Sequence, residues 1–353
     1  MIANALPRPL TAGSVDNAIL RADGTDGTIL QTSGINIDDS TVSTQSNVAI
    51  TNQHSGQTNS SIVLTPKGTG ALIAGPKPDG TAVGGNARGS KAICLVGDRS
   101  AATQVASGAD SVAIGRRATA VGANAISISG NASGANNCIA IGSSSTASGN
   151  QSIAIGTDSS VTASGDRAVC IGGQFTTASG TGSVAVIGGG AQAAVSAQYA
   201  GVFAGHAAVA DRIGMNAHAV GAFAVNGDVQ RARFVLRRKT TNNTATELLL
   251  DSSTRLTIPS GKVVAMTINI AGVSSTGAAV AHYIRQYALK NVAGTTSQVY
   301  APVTIGTDNA AGTSISLSAN DTNDALNVSV TGIAAETWRW VASVDAVEIA
   351  YGT

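Results

Sequence analysis

Large side chains and charge are both scarce in this chain. Aromatic residues make up 3% of its 353 positions, charged residues 12%, and only 7 prolines are present. So few aromatics exclude an ordinary globular core over most of the length. So little charge excludes the polar, self-repelling composition of a disordered chain. The net charge of +1 gives no bulk field for nucleic acid or for an anionic membrane. No run of about 18 apolar residues occurs, so no membrane-spanning helix and no membrane insertion are expected. The first residues, MIANALPRPLTAGSV, lack a basic stretch followed by a long apolar one, so no secretory signal is expected. The three cysteines, Cys94, Cys138 and Cys170, are too few and too scattered for a disulfide scaffold, and they fit assembly in a reducing cytoplasm.

What fills the chain is small or β-branched. Glycine alone accounts for 42 residues, yet it does not recur at every third position, which excludes a collagen helix. Alanine, serine, threonine, valine and isoleucine suit thin β-layers whose backbones approach closely. In the middle of the chain they repeat. SVAIG (Ser111–Gly115), ISISG (Ile126–Gly130), CIAIG (Cys138–Gly142), SIAIG (Ser152–Gly156) and VCIG (Val169–Gly172) follow one another, with a degenerate SVAVIGG from Ser183. The spacings from Ile114 to Ile128, Ile141, Ile155 and Ile171 are 14, 13, 14 and 16 residues. Each unit alternates with period two, turns at glycine, and continues into a weaker strand with alanine at alternate positions, as at Ala118 and Ala120. Two short strands and two tight turns in about 14 residues make one coil of a parallel β-solenoid. The larger alternate residues, Val112, Ile114, Ile126, Ile128, Ile139, Ile141, Ile153, Ile155, Val169 and Ile171, are expected to form the repeat core. Cys138 replaces the repeat serine and Cys170 the repeat alanine, so both read as small buried residues.

The chemistry-bearing residues do not assemble into a catalytic pattern. GGNARGSK (Gly84–Lys91) has serine before lysine, the reverse of a phosphate-binding loop. The repeats lack the aspartates of calcium-binding β-rolls, and DGTDG (Asp23–Gly27) reads as a solvated turn. His54, His206, His218 and His282 include no pair at chelating spacing, although His206 or His218 on a threefold axis would offer three ligands to a metal. Carboxylates are scattered on turns. No catalytic residue, cofactor or metal is expected, and the chain is read as a non-enzyme. The one dense basic run is RARFVLRRK (Arg231–Lys239), which reads as a solvated strand face or an ion-pair seam between chains, with phosphate or lipopolysaccharide contact as the alternative.

The repeats SVAIG…ATAVG and SIAIG…TASG resemble the head repeats of trimeric autotransporter adhesins of the YadA type, over roughly residues 92–225. That resemblance implies a left-handed parallel β-roll from each of three chains, packed around a threefold axis. The flanks differ from an autotransporter. LRADGTDGTILQTSGINIDD (Leu20–Asp39) and IVLTPKGTGAL (Ile62–Leu72) are similar to segments of phage tail-fibre and related virion proteins, and read physically as short hairpins. From about residue 229 the strands lengthen, and seven of the eleven aromatics fall in residues 230–353. FVLRRKTT, RLTIP, ANDTNDALNVSVTG and WRWVA together resemble a C-terminal domain of phage fibre and tail proteins.

The expectation is therefore an all-β homotrimer in three modules: an attachment region at 1–90, a β-roll at 91–226, and an antiparallel β-sandwich of jelly-roll type at 227–353. Such a chain would be a phage tail or neck fibre, located in the virion and used for host attachment. It would dock on another virion protein through its N-terminal region and meet a host glycan or protein through its C-terminal domain. Alternatives are a capsid-bound head fibre or decoration protein, a trimeric bacterial adhesin fragment, and a tailspike depolymerase. Tyr283, Arg285 and Tyr287 share one strand face, as do Trp338 and Trp340. Aromatics with polar tips suit a receptor or partner contact, and burial in the domain core is the alternative.

Overall fold

The computed structural model describes residues 18–23, 29–39, 48–52, 64, 66–132, 136–156, 161–181, 185–187 and 192–351. The chain divides into two compact units, Met1–Thr65 and Pro66–Thr353. In the first, strands Ala18–Asp23, Ile29–Asp39 and Val48–Asn52 form an antiparallel meander. Most of the Asp23–Gly27 turn, and His54, lie outside the described residues.

The second unit begins with the coils. Val112–Ile114, Ile126–Ile128, Ile139–Ile141, Ile153–Ile155 and Val169–Ile171 pair in parallel, with Ile114, Ile128, Ile141, Ile155 and Ile171 stacked in direct register. The spacings of 13 to 16 residues are thus single turns of one solenoid. The sheet starts upstream of residue 91, because Leu72–Ile73 already pairs with Ile93–Cys94. A second parallel sheet of seven short strands, from Thr119–Ala120 to Val209–Ala210, closes the other side of the coils.

The alternation is as expected, but its faces are reversed. Ala113, Ser127, Ala140, Ala154 and Cys170 point inward from the first sheet, and Ala106, Ala120, Ala147, Ala163 and Ala178 from the second; all are fully buried. Val112, Ile114, Ile126, Ile139, Ile141, Ile153, Ile155, Val169 and Ile171 are half-buried on the outer face, and Ile128 is 39% exposed there. They are not the interior of the roll. A coil of two three-residue strands is too narrow for two rows of β-branched side chains, so the small alternates fill it. Two inward hydroxyls find partners at the turns, Ser111 Oγ donating to the Gly108 carbonyl (2.7 Å) and Ser127 Oγ to that of Gly130 (2.6 Å), while the buried Ser152 Oγ has none.

Two corner columns set how the coils stack. Asp110, Asn124, Asn137, Gln151 and Arg167, each just before a first-sheet strand, have φ of 54–59°. Asparagine and aspartate tolerate this left-handed region better than most residues. Beside them the Asn136, Asn150 and Asp166 side chains each accept the backbone N–H of Ala123, Asn136 and Asn150 in the coil before (3.0, 3.2 and 2.9 Å). At the other corner a glycine is required by contact. A Cβ on Gly165 would lie 1.9 Å from the Gly180 carbonyl oxygen, and one on Gly108 2.0 Å from that of Gly122.

The remaining strands are numbered β1 (Val229–Thr240), β2 (Thr246–Glu247), β3 (Leu256–Thr257), β4 (Lys262–Ser274), β5 (Val280–Val292), β6 (Thr295–Thr304), β7 (Ser314–Asn320), β8 (Ala325–Thr331) and β9 (Trp338–Ala350). Five of them form an antiparallel sheet in the order β6-β5-β4-β9-β1. Because β1 pairs antiparallel with Asn216–His218, this sheet continues the first sheet of the roll edge to edge. β8, flanked by β2, β3 and β7, makes the second layer. Between the layers lies the large-residue core that the roll lacks, including Phe234, Leu236, Ile268, Ile270, Leu289, Leu326 and Val328.

The contact at Gly165 generates a prediction. Gly165→Ala should lower stability by about 1–3 kcal/mol through forced coil separation, read as an earlier thermal transition. Gly97→Ala, where a Cβ meets nothing within 4 Å, should leave the transition within about 0.5 kcal/mol of the parent. Equal effects would refute the steric reading.

Candidate functional site: the outer face of the continuous sheet

The outer face of the first sheet carries two apolar columns. One runs Ile93, Val112, Ile126, Ile139, Ile153, Val169; the other runs Leu95, Ile114, Ile128, Ile141, Ile155, Ile171. Among the described residues of this unit, no layer covers them, in contrast to the inner face. At the junction with β1 the columns turn polar. Asn216 stands opposite Arg233 and then Asp345, while His218 stands opposite Arg231 and then Val347. Arg231 Nε donates to Asp345 Oδ1 (2.8 Å) and Arg233 Nε to Oδ2 (3.2 Å), so two arginines share one carboxylate. Arg231 beside it holds the Asp345 carboxyl below its usual 3.8. The first half of the basic run is therefore an ion-pair seam within one chain.

Around this junction lies a mostly apolar hollow of about 550 Å³, lined by residues that include His218, Val220, Phe223 and Val347. Val220 is 86% exposed and Phe223 73%. Their loop is built by Asp228, whose carboxylate accepts the N–H groups of Phe223 (3.0 Å), Ala224 (2.6 Å) and Val225 (2.9 Å). These bonds, that of Ala224 foremost, hold the Asp228 carboxyl below its ordinary value.

Beneath the junction, a buried polar cluster fastens the roll to the sheet. Arg212, just past the last second-sheet strand, pairs with the fully buried Glu348 of β9, donates to the Thr257 carbonyl (3.2 Å) and lies 4.9 Å over the Phe234 ring. Gln230 Nε2 donates to Glu348 Oε2 (2.9 Å) and to the Val209 carbonyl (3.0 Å), and Gln230 Oε1 accepts the Val209 N–H (2.9 Å). The Gln230 amide thus supplies the next rung of the second sheet where the coils stop. Sequence reasoning missed this cluster, since Arg212, Gln230 and Glu348 are far apart in the chain and follow no spacing rule.

The aromatic candidates for a receptor contact are core residues. Trp338, Trp340, Tyr283 and Tyr287 are all at most 3% exposed. The two indoles stack with centroids 5.5 Å apart, Trp340 Nε1 donates to Thr240 Oγ1 (3.1 Å), and Trp338 Nε1 donates to Glu336 Oε2 (3.0 Å). The Tyr283 hydroxyl reaches Thr313 Oγ1 (2.7 Å). Arg285 is not free either; it binds Asp308 through two bonds (2.7 and 2.6 Å) and lies over the Tyr283 ring. Their polar tips find partners within the same domain, as buried aromatics require. The exposed aromatics are instead Phe175, Tyr199, Phe203 and Phe223 of the coil region, with Tyr300 and Tyr351 of the C-terminal layers. Among the described residues, no group of three or more His, Cys, Asp or Glu side chains could hold a metal ion, and no helix is long and apolar enough to cross a membrane.

Stacked coils with an outward isoleucine column and a glycine corner define the comparison that matters. Residues 106–128 and 135–159 match the YadA head domain repeat. The match covers under half of the chain, and it supports a fibre- or adhesin-like β-roll of a kind that suggests association of three chains. No curated protein matches the chain. Among solved structures, the tailspike protein gp49 from Acinetobacter baumannii bacteriophage Fri1, a capsular polysaccharide depolymerase, is similar at 11% identity and a TM-score of 0.25. The similarity covers 67% of this chain and 40% of that one, so this chain spans well under half of the tailspike. A TM-score at that level supports no argument about either fold or activity.

Two outcomes follow from the coils and their junction. Glu348→Ala removes the buried acceptor shared by Arg212, Gln230 and Lys262 and leaves Arg212 only the adjacent Asp211 carboxylate (3.1 Å); it should cost about 3 kcal/mol in denaturant melts, and loss under about 1 kcal/mol would show that the cluster fastens nothing. Asp345 has a lowered carboxyl value, so its ion pair stabilises fully above pH about 4 and is lost as pH falls through the lowered value. Melting between pH 5 and pH 2 should therefore decline less steeply for Asp345→Asn than for the parent; parallel curves would contradict the assignment.

Proposed function

We propose that this chain is the subunit of a homotrimeric virion fibre, a phage tail or neck fibre, that presents its C-terminal β-domain to a host surface. One observation carries the reading: the outer apolar columns run through successive coils and are uncovered by the described residues of their own unit. Contiguous exposed apolar surface on a soluble fold marks an interaction face. A second and third copy, related by a threefold axis, would bury the columns of all three chains against one another. The YadA-head match supports that stoichiometry, and the similarity of the flanking segments to phage fibre proteins supports the virion as the location. In this reading the region before residue 66 docks on another virion protein, and three C-terminal domains held at fixed spacing convert weak contacts into avidity.

The proposed role is binding without catalysis. Glu348, Asp345 and Asp308 are committed to arginine partners, Asp228 and Asp251 to the backbone of their own turns, and Glu336 to the Trp338 indole. A capsid-bound fibre shares the same trimer and differs only in where it is anchored.

The trimer is the testable centre of this reading. Unheated protein should migrate in SDS as a species of about 104 kDa, three times 34.7 kDa, and electron microscopy should place it as a projection on particles. Ile141→Asp with Ile155→Asp puts two charges on the outer columns and should yield monomer while Ile315→Asp, in the other layer, should not shift the subunit count of whatever folds. A soluble 34.7 kDa parent monomer would overturn the proposal.

A further inference from the structure

The two ends of the β1–β9 pair treat their cations differently. At the junction end, Arg231 and Arg233 share Asp345. At the far end Lys239 stands directly opposite Arg339, with Arg237 opposite Val341 on the same outward side. Like charges directly opposed across strands are destabilising. Among the described residues, none of Arg237, Lys239 and Arg339 has a carboxylate within ion-pair distance, whereas Arg231, Arg233, Arg255 and Arg285 each have one. The fold thus supplies a counterion for the junction cations and none for these.

These cations line a concavity of about 460 Å³ together with Arg238, Asp251 and Ser252. Asp251 does not neutralise them. Its carboxylate faces its own turn, accepting the N–H groups of Ser253 and Thr254 (2.7 Å each) and the Thr254 hydroxyl (3.0 Å). Arg238 is fixed by donating to the Ser252 carbonyl (3.2 Å). Four cations against one occupied carboxylate leave a strong local positive field in a chain whose net charge is +1. The volume falls within the range of small-ligand sites and is far larger than one inorganic anion needs. Guanidinium groups bind carboxylate or phosphate oxygens two at a time, and the exposed Ser252 loop offers hydroxyl and carbonyl partners to a neighbouring sugar ring.

We propose that the Arg237–Lys239–Arg339 concavity binds an acidic sugar unit, carrying carboxylate or phosphate, of a host-surface polysaccharide. This inference rests on the attachment reading and gives it a ligand class. A neighbouring copy of the chain is the less suited occupant, because the mostly apolar hollow of Val347 and the Val220–Phe223 loop lies at the opposite end of these strands.

The test uses the full-length protein on three immobilised polymers: polygalacturonate, poly(glycerol phosphate) and neutral dextran. The parent should bind one or both acidic polymers and not dextran, the two acidic arms deciding between carboxylate and phosphate. Lys239→Ala with Arg339→Ala should weaken that binding at least about tenfold, the scale of one lost charge-assisted contact. Arg116→Ala, which removes an equally exposed cation from the coil region, should change it less than about twofold. Equal binding to dextran, no binding to either acidic polymer, or unchanged affinity in the double variant overturns the site. Conversion of the double variant to a smaller oligomer overturns it too, by showing that the cations hold a second copy. The unheated mass of the parent is a separate readout, so failure of the saccharide site leaves the trimeric fibre standing, and a monomeric parent sinks the fibre whatever it binds.

Discussion

Neighbouring strands of a parallel ladder lie about 4.8 Å apart, and in this chain that spacing governs every coil. Two strands of three residues, folded back on each other within about 14 residues, enclose a strip filled mainly by alanine, serine and cysteine, with single valines such as Val161 and Val195. Corners must then pass one coil over the next with almost no room, which is why a Cβ on Gly165 would fall inside the neighbouring carbonyl. The high glycine content and the scarcity of aromatics follow from the same constraint. Rows of large side chains cannot enter the coil, so most of the β-branched residues of the first sheet go outside. There they create an apolar surface that no described layer of the same unit covers.

The C-terminal part relaxes that constraint. Its two layers stand far enough apart for Trp338, Trp340, Tyr287 and Phe234 to pack between them, so hydrophobic burial replaces ladder stacking as the main source of stability. Gly272 shows how closely the packing is fitted: a Cβ there would lie 2.3 Å from the Trp340 ring. The change from one regime to the other happens across a single strand pairing, Asn216–His218 with β1. Gln230 completes the last rung of the ending sheet, while Arg212 and Glu348 tie the coil edge to the strand behind it.

The repeat period, the strand positions and the stacking register were all legible, because each depends only on spacing along the chain. The orientation of the strands was not. Period-two alternation says that Val112 and Ile114 share a face and that Ala113 lies on the other, but the pattern is symmetrical between inside and outside. The usual preference for β-branched residues in a core pointed the wrong way, and the deciding quantity, the width of the coil, appears only once the chain is folded. The aromatics of the C-terminal part posed a similar problem. Trp338 and Trp340 share a face in any strand, yet only the presence of a covering layer makes that face interior. Arg285 was misplaced because its partner Asp308 arrives from a separate loop. The Asn136, Asn150 and Asp166 column did leave a trace, since an asparagine or aspartate recurs close before the repeat strands.

The outer face of the continuous sheet changes character along its length, and that gradient separates two jobs. Over the coils from Ile93 to Ile171 it is a pair of apolar columns that repeat at the spacing of the coils themselves, a surface of the kind that marks an interaction face. A second copy of the same chain is the partner whose spacing matches automatically. At the junction the columns give way to an arginine seam whose counterion, Asp345, is already built in, so this stretch asks nothing of a neighbour electrostatically. Beyond it the cations are left uncompensated. Self-association would gain little by bringing three such basic ends together, because like charges repel at the distances a close interface imposes. On the reading proposed above, an occupant of opposite charge from outside the assembly resolves that repulsion, with assembly at one end of the face and recognition at the other.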